Sequence, residues 1–157
     1  MTSDHLEEAE SGEEDDYTSD ELLEQAQINA QALFLGTAAT FDGDGTRLDL
    51  WRDRLAATFA KGWDIEAEWD AADILYALLT SYRSYGALIV DADLEAEEPV
   101  AVITNLPNQF LAEALGVDHR LLHHLFRIGE QLARVLGGTL TWSETPDGDI
   151  ELRTSTA

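Results

Sequence analysis

In "DHRLLHHLFRIGEQLARVLGG" (118–138) the apolar residues Leu121, Leu125, Ile128, Leu132 and Val135 recur every three or four positions. That spacing gathers them on one side of a 3.6-residue turn. It predicts an amphipathic helix with Asp118 as its N-cap and Gly137-Gly138 as its stop. Similar arguments place helices elsewhere. Thr18 and Glu21 stand in capping-box spacing and open a helix expected to run to Leu35 and end at Gly36. Leu48, Trp51, Leu55 and Phe59 mark a helix over 48–61 with Gly62 beyond it. Asp70 caps a helix over 71–84, and "NQFLAEALG" makes a short one.

Strands are read from period-two alternation and β-branched runs. "WDIEAEW" (63–69) alternates Trp63, Ile65, Ala67 and Trp69 with Asp64, Glu66 and Glu68. It therefore predicts a half-buried strand with tryptophans inward and carboxylates outward. "TAATF" (37–41) predicts a short strand ahead of the turn "DGDG". "GALIVDA" and "PVAVIT" predict a hairpin around the acidic loop "DLEAEE", and "TLTWSETPDGDIELR" predicts two strands about a Pro-Asp-Gly turn. The sum is an α+β fold in one domain over 18–157, an antiparallel sheet covered by helices. No internal repeat or linker divides it.

Charge changes this picture most. The chain has 32 Asp and Glu against 9 Lys and Arg, a formal net charge of −23. Nine of the acids lie within residues 1–20 among few apolar side chains, so residues 1–17 are expected to form a disordered acidic tail. Residues 21–157 still hold 23 acids against 9 bases, a net charge of −14. Such a surface disfavours phosphate-mediated binding of nucleic acid and contact with anionic membranes. A salt-in cytoplasm accounts for acids in both tail and domain and for a single Lys, Lys61. A high-GC mesophile and a DNA-mimic inhibitor are the competing explanations. A mimic would carry its acids in a duplex-like stripe, whereas here they are scattered singly. No cysteine, basic-apolar leader or apolar run of spanning length is present, so a cytoplasmic protein is expected.

Few motifs carry chemistry. In "GWDIEAEWDAAD" (62–73) five carboxylates crowd twelve positions. Neighbours on one strand face stand about 6.6–6.8 Å apart, and the tryptophans are expected on the opposite face, so a solvated face is the reading adopted. The calcium-loop pattern fails in "DGDGTRLDLWRD", which has Arg47 where glycine is required, and in "DADLEAEEP", which has Ala96 there. His119 and His123 are spaced to share a helix face, but no further ligand is evident and no metal is expected. No phosphate loop, dinucleotide fingerprint or nucleophile elbow is present, and neither catalytic residues nor a cofactor are assigned. The stretch 119–134 contains Arg120, Arg127, Arg134 and three histidines against one acid, Glu130. His119, His123, Arg127 and Arg134 are therefore the candidate protein-contact face, for an acidic partner or a second copy.

Two segments invite comparison. "LARVLGGTLTWSETPDGDIEL" resembles the closing helix-Gly-Gly-hairpin of the histidine-kinase ATPase domain, although that domain's asparagine helix and glycine-rich lid have no counterpart here. The order helix, "GALIVDA", "PVAVIT", helix, hairpin over 71–153 is similar in layout to Roadblock/LC7 domains. That resemblance implies a small dimerising scaffold. The expectation is a non-enzymatic regulatory or adaptor protein that self-associates in a salt-adapted cytoplasm. The alternative is an acidic DNA-mimic inhibitor of a nucleic-acid-binding protein.

Overall fold

A computed structural model describes residues 17–156. The segment expected to be a disordered acidic tail lies, apart from Tyr17, outside the described residues. Helix α1, Ser19–Phe41, opens on the capping box: Thr18 Oγ1 accepts from the Glu21 amide at 3.2 Å, and Glu21 Oε2 accepts from the Thr18 amide at 2.8 Å. It does not stop at Gly36. The stretch expected to be a strand at 37–41 instead continues the helix and buries Ala38. The threonines also return their hydroxyls to the helix, Thr37 to the Leu33 carbonyl and Thr40 to that of Gly36. Helix α2, Gly45–Ala60, is capped by Asp44 and lays Trp51 against Phe34 of α1, with ring centroids 4.9 Å apart.

The strand expected at 63–69 is also absent. The chain there forms turns: Ala67 N–H donates to the Asp64 carbonyl, and Glu66 N–H donates to the Asp64 side chain. Both tryptophans nevertheless turn towards the body and pack against the core, while Ile65 is 52% exposed. Asp70 then caps α3, Ala71–Ser84, through the Asp73 amide at 2.8 Å. The helix α4, Gln109–Leu115, follows a cap at Asn108.

Asp118 caps as expected, but the first turn after it, His119–Leu122, is a 3₁₀ helix. Only then does α5 run, His123–Val135. The tighter turn rotates the buried stripe. Leu122, Phe126, Gly129 and Ala133 join Leu125, Ile128 and Leu132 in the interior, and Val135 is left half-exposed.

The strands are β1 (Leu88–Asp93), β2 (Val100–Thr104), β3 (Gly138–Glu144) and β4 (Ile150–Thr156). They form one antiparallel sheet in the order β1-β2-β4-β3, with Ile89 opposite Ile103 and Ile103 opposite Ile150. Ile103, Ile150, Leu152 and Leu140 are buried under α3 and α5, while Thr139, Thr141 and Ser143 face away and are exposed. The expected α+β class, an antiparallel sheet covered by helices, is therefore the fold. Gln31, almost wholly buried, ties α1 to it. Its Nε2 donates to the carbonyls of Tyr85 (2.6 Å) and Asn105 (3.1 Å), and its Oε1 accepts from the Asn108 amide (3.0 Å).

Candidate functional site

The four residues of the expected contact face separate into two environments. Arg127 and Arg134 are exposed on α5. Arg134 donates to the Glu130 carbonyl of its own helix, and among the described residues neither arginine pairs with an acid. The histidines bracket the 3₁₀ turn with ring centroids 6.5 Å apart. His119 stays near Asp118, while His123 turns inward onto Trp142 at 5.1 Å. Burial holds His123 below the ordinary imidazole range, and Glu144 offsets part of that effect. Trp142 in turn donates from Nε1 to Glu130 at 2.8 Å. No group of three or more His, Asp or Glu among the described residues is placed to hold a metal.

On the other side of α5, His124 Nδ1 lies 3.1 Å from an Arg52 guanidinium nitrogen of α2. Arginine can only donate, so Nδ1 accepts and the ring is neutral with its proton on Nε2. Burial lowers the affinity of His124 for a second proton, and Arg52 and Arg127 lower it further. Arg52 is also paired with Asp49, and Gln131 donates to Asp53 at 3.0 Å, so polar contacts close the α2–α5 seam.

A run of consecutive exposed apolar residues lies on the opposite edge of the sheet, where sequence reading assigned nothing. Among the described residues strand β1 pairs only with β2, and Leu88, Ile89 and Val90 are exposed by 60%, 42% and 57%. All six residues of β1 are exposed, so neither of its faces is covered, and its register against β2 shifts between Ile89 and Asp91. Beside Leu88 an open depression of about 400 Å³ is bounded by Pro107, Phe110, Asp147 and Asp149, and Phe110 is 84% exposed. Gln31 fixes the loop beneath it through the Asn105 carbonyl and the Asn108 amide, so the depression is preformed. The unbroken run "LIV" was the available signal. It predicted one strand of a hairpin, and such an apolar run looks the same whether covered or bare.

Carboxylates and tryptophans of 62–73 are not on opposite faces as the alternation implied. Trp63 and Trp69, with centroids 6.2 Å apart, share an open depression of about 490 Å³ with Glu68 and with Asp73 and Tyr76 of α3.

No protein-family model matches the chain, and neither does any curated protein or solved structure. Among the described residues no helix is long and apolar enough to cross a membrane.

Proposed function

We propose that the chain is a non-enzymatic regulatory or adaptor protein that works through protein contacts made along β1. The observation behind this reading is three consecutive apolar residues, Leu88 to Val90, bare on an edge strand. An unpaired edge offers backbone donors and acceptors to an incoming strand, and apolar side chains beside it give that strand something to bury. Charge selects the partner. Between Arg83 and Arg120 the chain has no Lys or Arg and seven acids, Asp91 and Asp93 within β1 itself. An extended segment mixing apolar and basic residues meets that surface with opposite charge. A second copy brings its own acids alongside, so self-association belongs to high salt, where repulsion is screened within about 3 Å at 1 M. A salt-adapted cytoplasm is the setting that fits both halves of this reading.

The test is backbone hydrogen exchange on the full chain with and without a synthetic peptide alternating valine and arginine, alongside sedimentation from low to molar KCl. Slowed exchange at 88–93, abolished by Leu88→Asp with Val90→Asp, is the expected result. Unchanged exchange there and a monomer at every salt concentration would sink the reading.

A further inference from the structure

We propose that the depression between Trp63, Trp69 and Tyr76 binds an alkylated ammonium cation, such as a quaternary ammonium group or a methylated amine. This site lies on the 62–73 turns and α3, and it does not depend on contacts at β1.

Local chemistry builds the site. Asp73, Tyr76, Ala77 and Thr80 fall at i, i+3, i+4 and i+7 of α3 and line one wall of the depression. The opposite wall comes from the turn segment, where Trp63 and Trp69 lie tilted by 34°. Trp69 is not free to swing, because its Nε1 donates to the Asp64 carbonyl at 2.8 Å. With the indole N–H used, its ring offers an incoming group the π-system. Asp70 fixes the start of α3 by capping it, so both walls are held before anything binds.

The composition of the walls selects the ligand. Three aromatic rings supply apolar contact and negative π-faces, which attract a cation placed over them. Glu68 and Asp73 add two negative charges, and among the described residues neither is engaged in an ion pair. An anion is repelled by that pair. A purely apolar ligand would strip water from two carboxylates without replacing it. A bare metal ion finds two carboxylates and, among the described residues, no group of three or more ligands, too few for a dedicated site. A small hydrated cation such as potassium or an unmodified ammonium gives up strong hydration to touch a ring. Alkylation spreads the charge and weakens hydration, and it adds methyl groups that suit the rings. Tyr76, 65% exposed, is the most exposed of the three rings.

The experiment follows the indole N–H signals of Trp63 and Trp69 by NMR while choline is added to the full chain in constant KCl. Its uncharged carbon isostere, 3,3-dimethylbutan-1-ol, is titrated in parallel. Saturable shifts at these two indoles with a dissociation constant of about 1 mM are expected, with at least tenfold weaker binding of the isostere. Tyr76→Ala and the paired Glu68→Gln, Asp73→Asn variants alter exposed side chains, and each should weaken choline about tenfold with an unchanged circular dichroism spectrum. Equal binding of the isostere, shifts confined to Trp51 and Trp142, or variants without effect would overturn the proposal. Peptides bearing trimethyllysine or plain lysine then identify the source of the cation. Tighter binding of the trimethyllysine peptide than of choline assigns a modified protein side chain, and comparable binding assigns a small molecule.

Discussion

Two glycines inside helices show how the same residue type has opposite meanings. Gly36 lies in α1 with no atom within 4 Å of where a Cβ would sit. Its freedom serves no contact there and costs backbone entropy. Gly36→Ala should therefore raise unfolding stability by about 0.5–1 kcal/mol in urea titration. Gly129 is the reverse case. A Cβ on it would overlap Tyr82 Oη and come within 3.0 Å of Leu140. Tyr82 is wholly buried and its hydroxyl has no partner among the described residues, so it has nowhere to retreat, and Gly129→Ala should cost about 1–3 kcal/mol. Tyr82→Phe removes the overlapping oxygen, and the double variant should recover part of that loss. Purely additive losses would show that the two residues are not in steric contact. Gln31 is the polar counterpart. Replacing it with Leu orphans the Asn108 amide and the Tyr85 and Asn105 carbonyls, and should cost about 3 kcal/mol or more.

Between elements, the α2–α5 seam makes stability depend on pH. His124 is held neutral in the fold by burial and by Arg52 and Arg127, whereas in the unfolded chain it titrates at its usual 6.5. Its folded value is the lower one, so protons bind the unfolded chain preferentially. Stability should be level at and above about pH 7.5, then decline below 6.5 until the folded value is reached. His123 adds to this in the same direction. Chemical denaturation at pH 7.5 and 5.5 measures the decline. His124→Gln keeps an acceptor for Arg52 without a titrating group, and should show a smaller decline than the wild type; an equal one would put the effect elsewhere.

Elements with both a cap and a period were legible in the sequence, as α3 illustrates: Asp70 caps it and its bounds match those expected. The hairpins were legible from two β-branched runs around an acidic loop in one case and from two strands about a Pro-Asp-Gly turn in the other. Where one cue stood alone it misled. Gly36 was read as a stop although helical residues follow it, and "WDIEAEW" alternates without any neighbouring strand to pair with. That second error hid the 62–73 depression, since it sent the tryptophans and Glu68 to opposite faces. The bare edge at β1 was hidden differently. Whether a strand is covered depends on where distant helices pack, and no local pattern reports that.

At the scale of the whole molecule, charge outweighs the available pairing. Residues 17–156 contain 24 acids, and among them Asp44, Asp49, Glu98, Asp118 and Glu151 take part in ion pairs with arginine. The other carboxylates have no arginine partner among the described residues, although some accept hydrogen bonds, and their mutual repulsion weakens the folded state most when salt is scarce. Circular dichroism of the full chain, followed from near zero to above 2 M KCl, separates two ways in which salt can help. Screening lengths fall from about 30 Å at 0.01 M to 10 Å at 0.1 M, so relief of repulsion alone should be nearly complete by a few tenths molar. A gain in thermal midpoint that continues to rise above 1 M instead requires salt to act on hydration and apolar burial as well, and this is the outcome expected for a salt-adapted chain. A chain equally stable at every salt concentration would remove habitat as the reason for its acidity. The acids fencing β1 and the carboxylates beside Trp63 and Trp69 would then stand as the features that the charge serves.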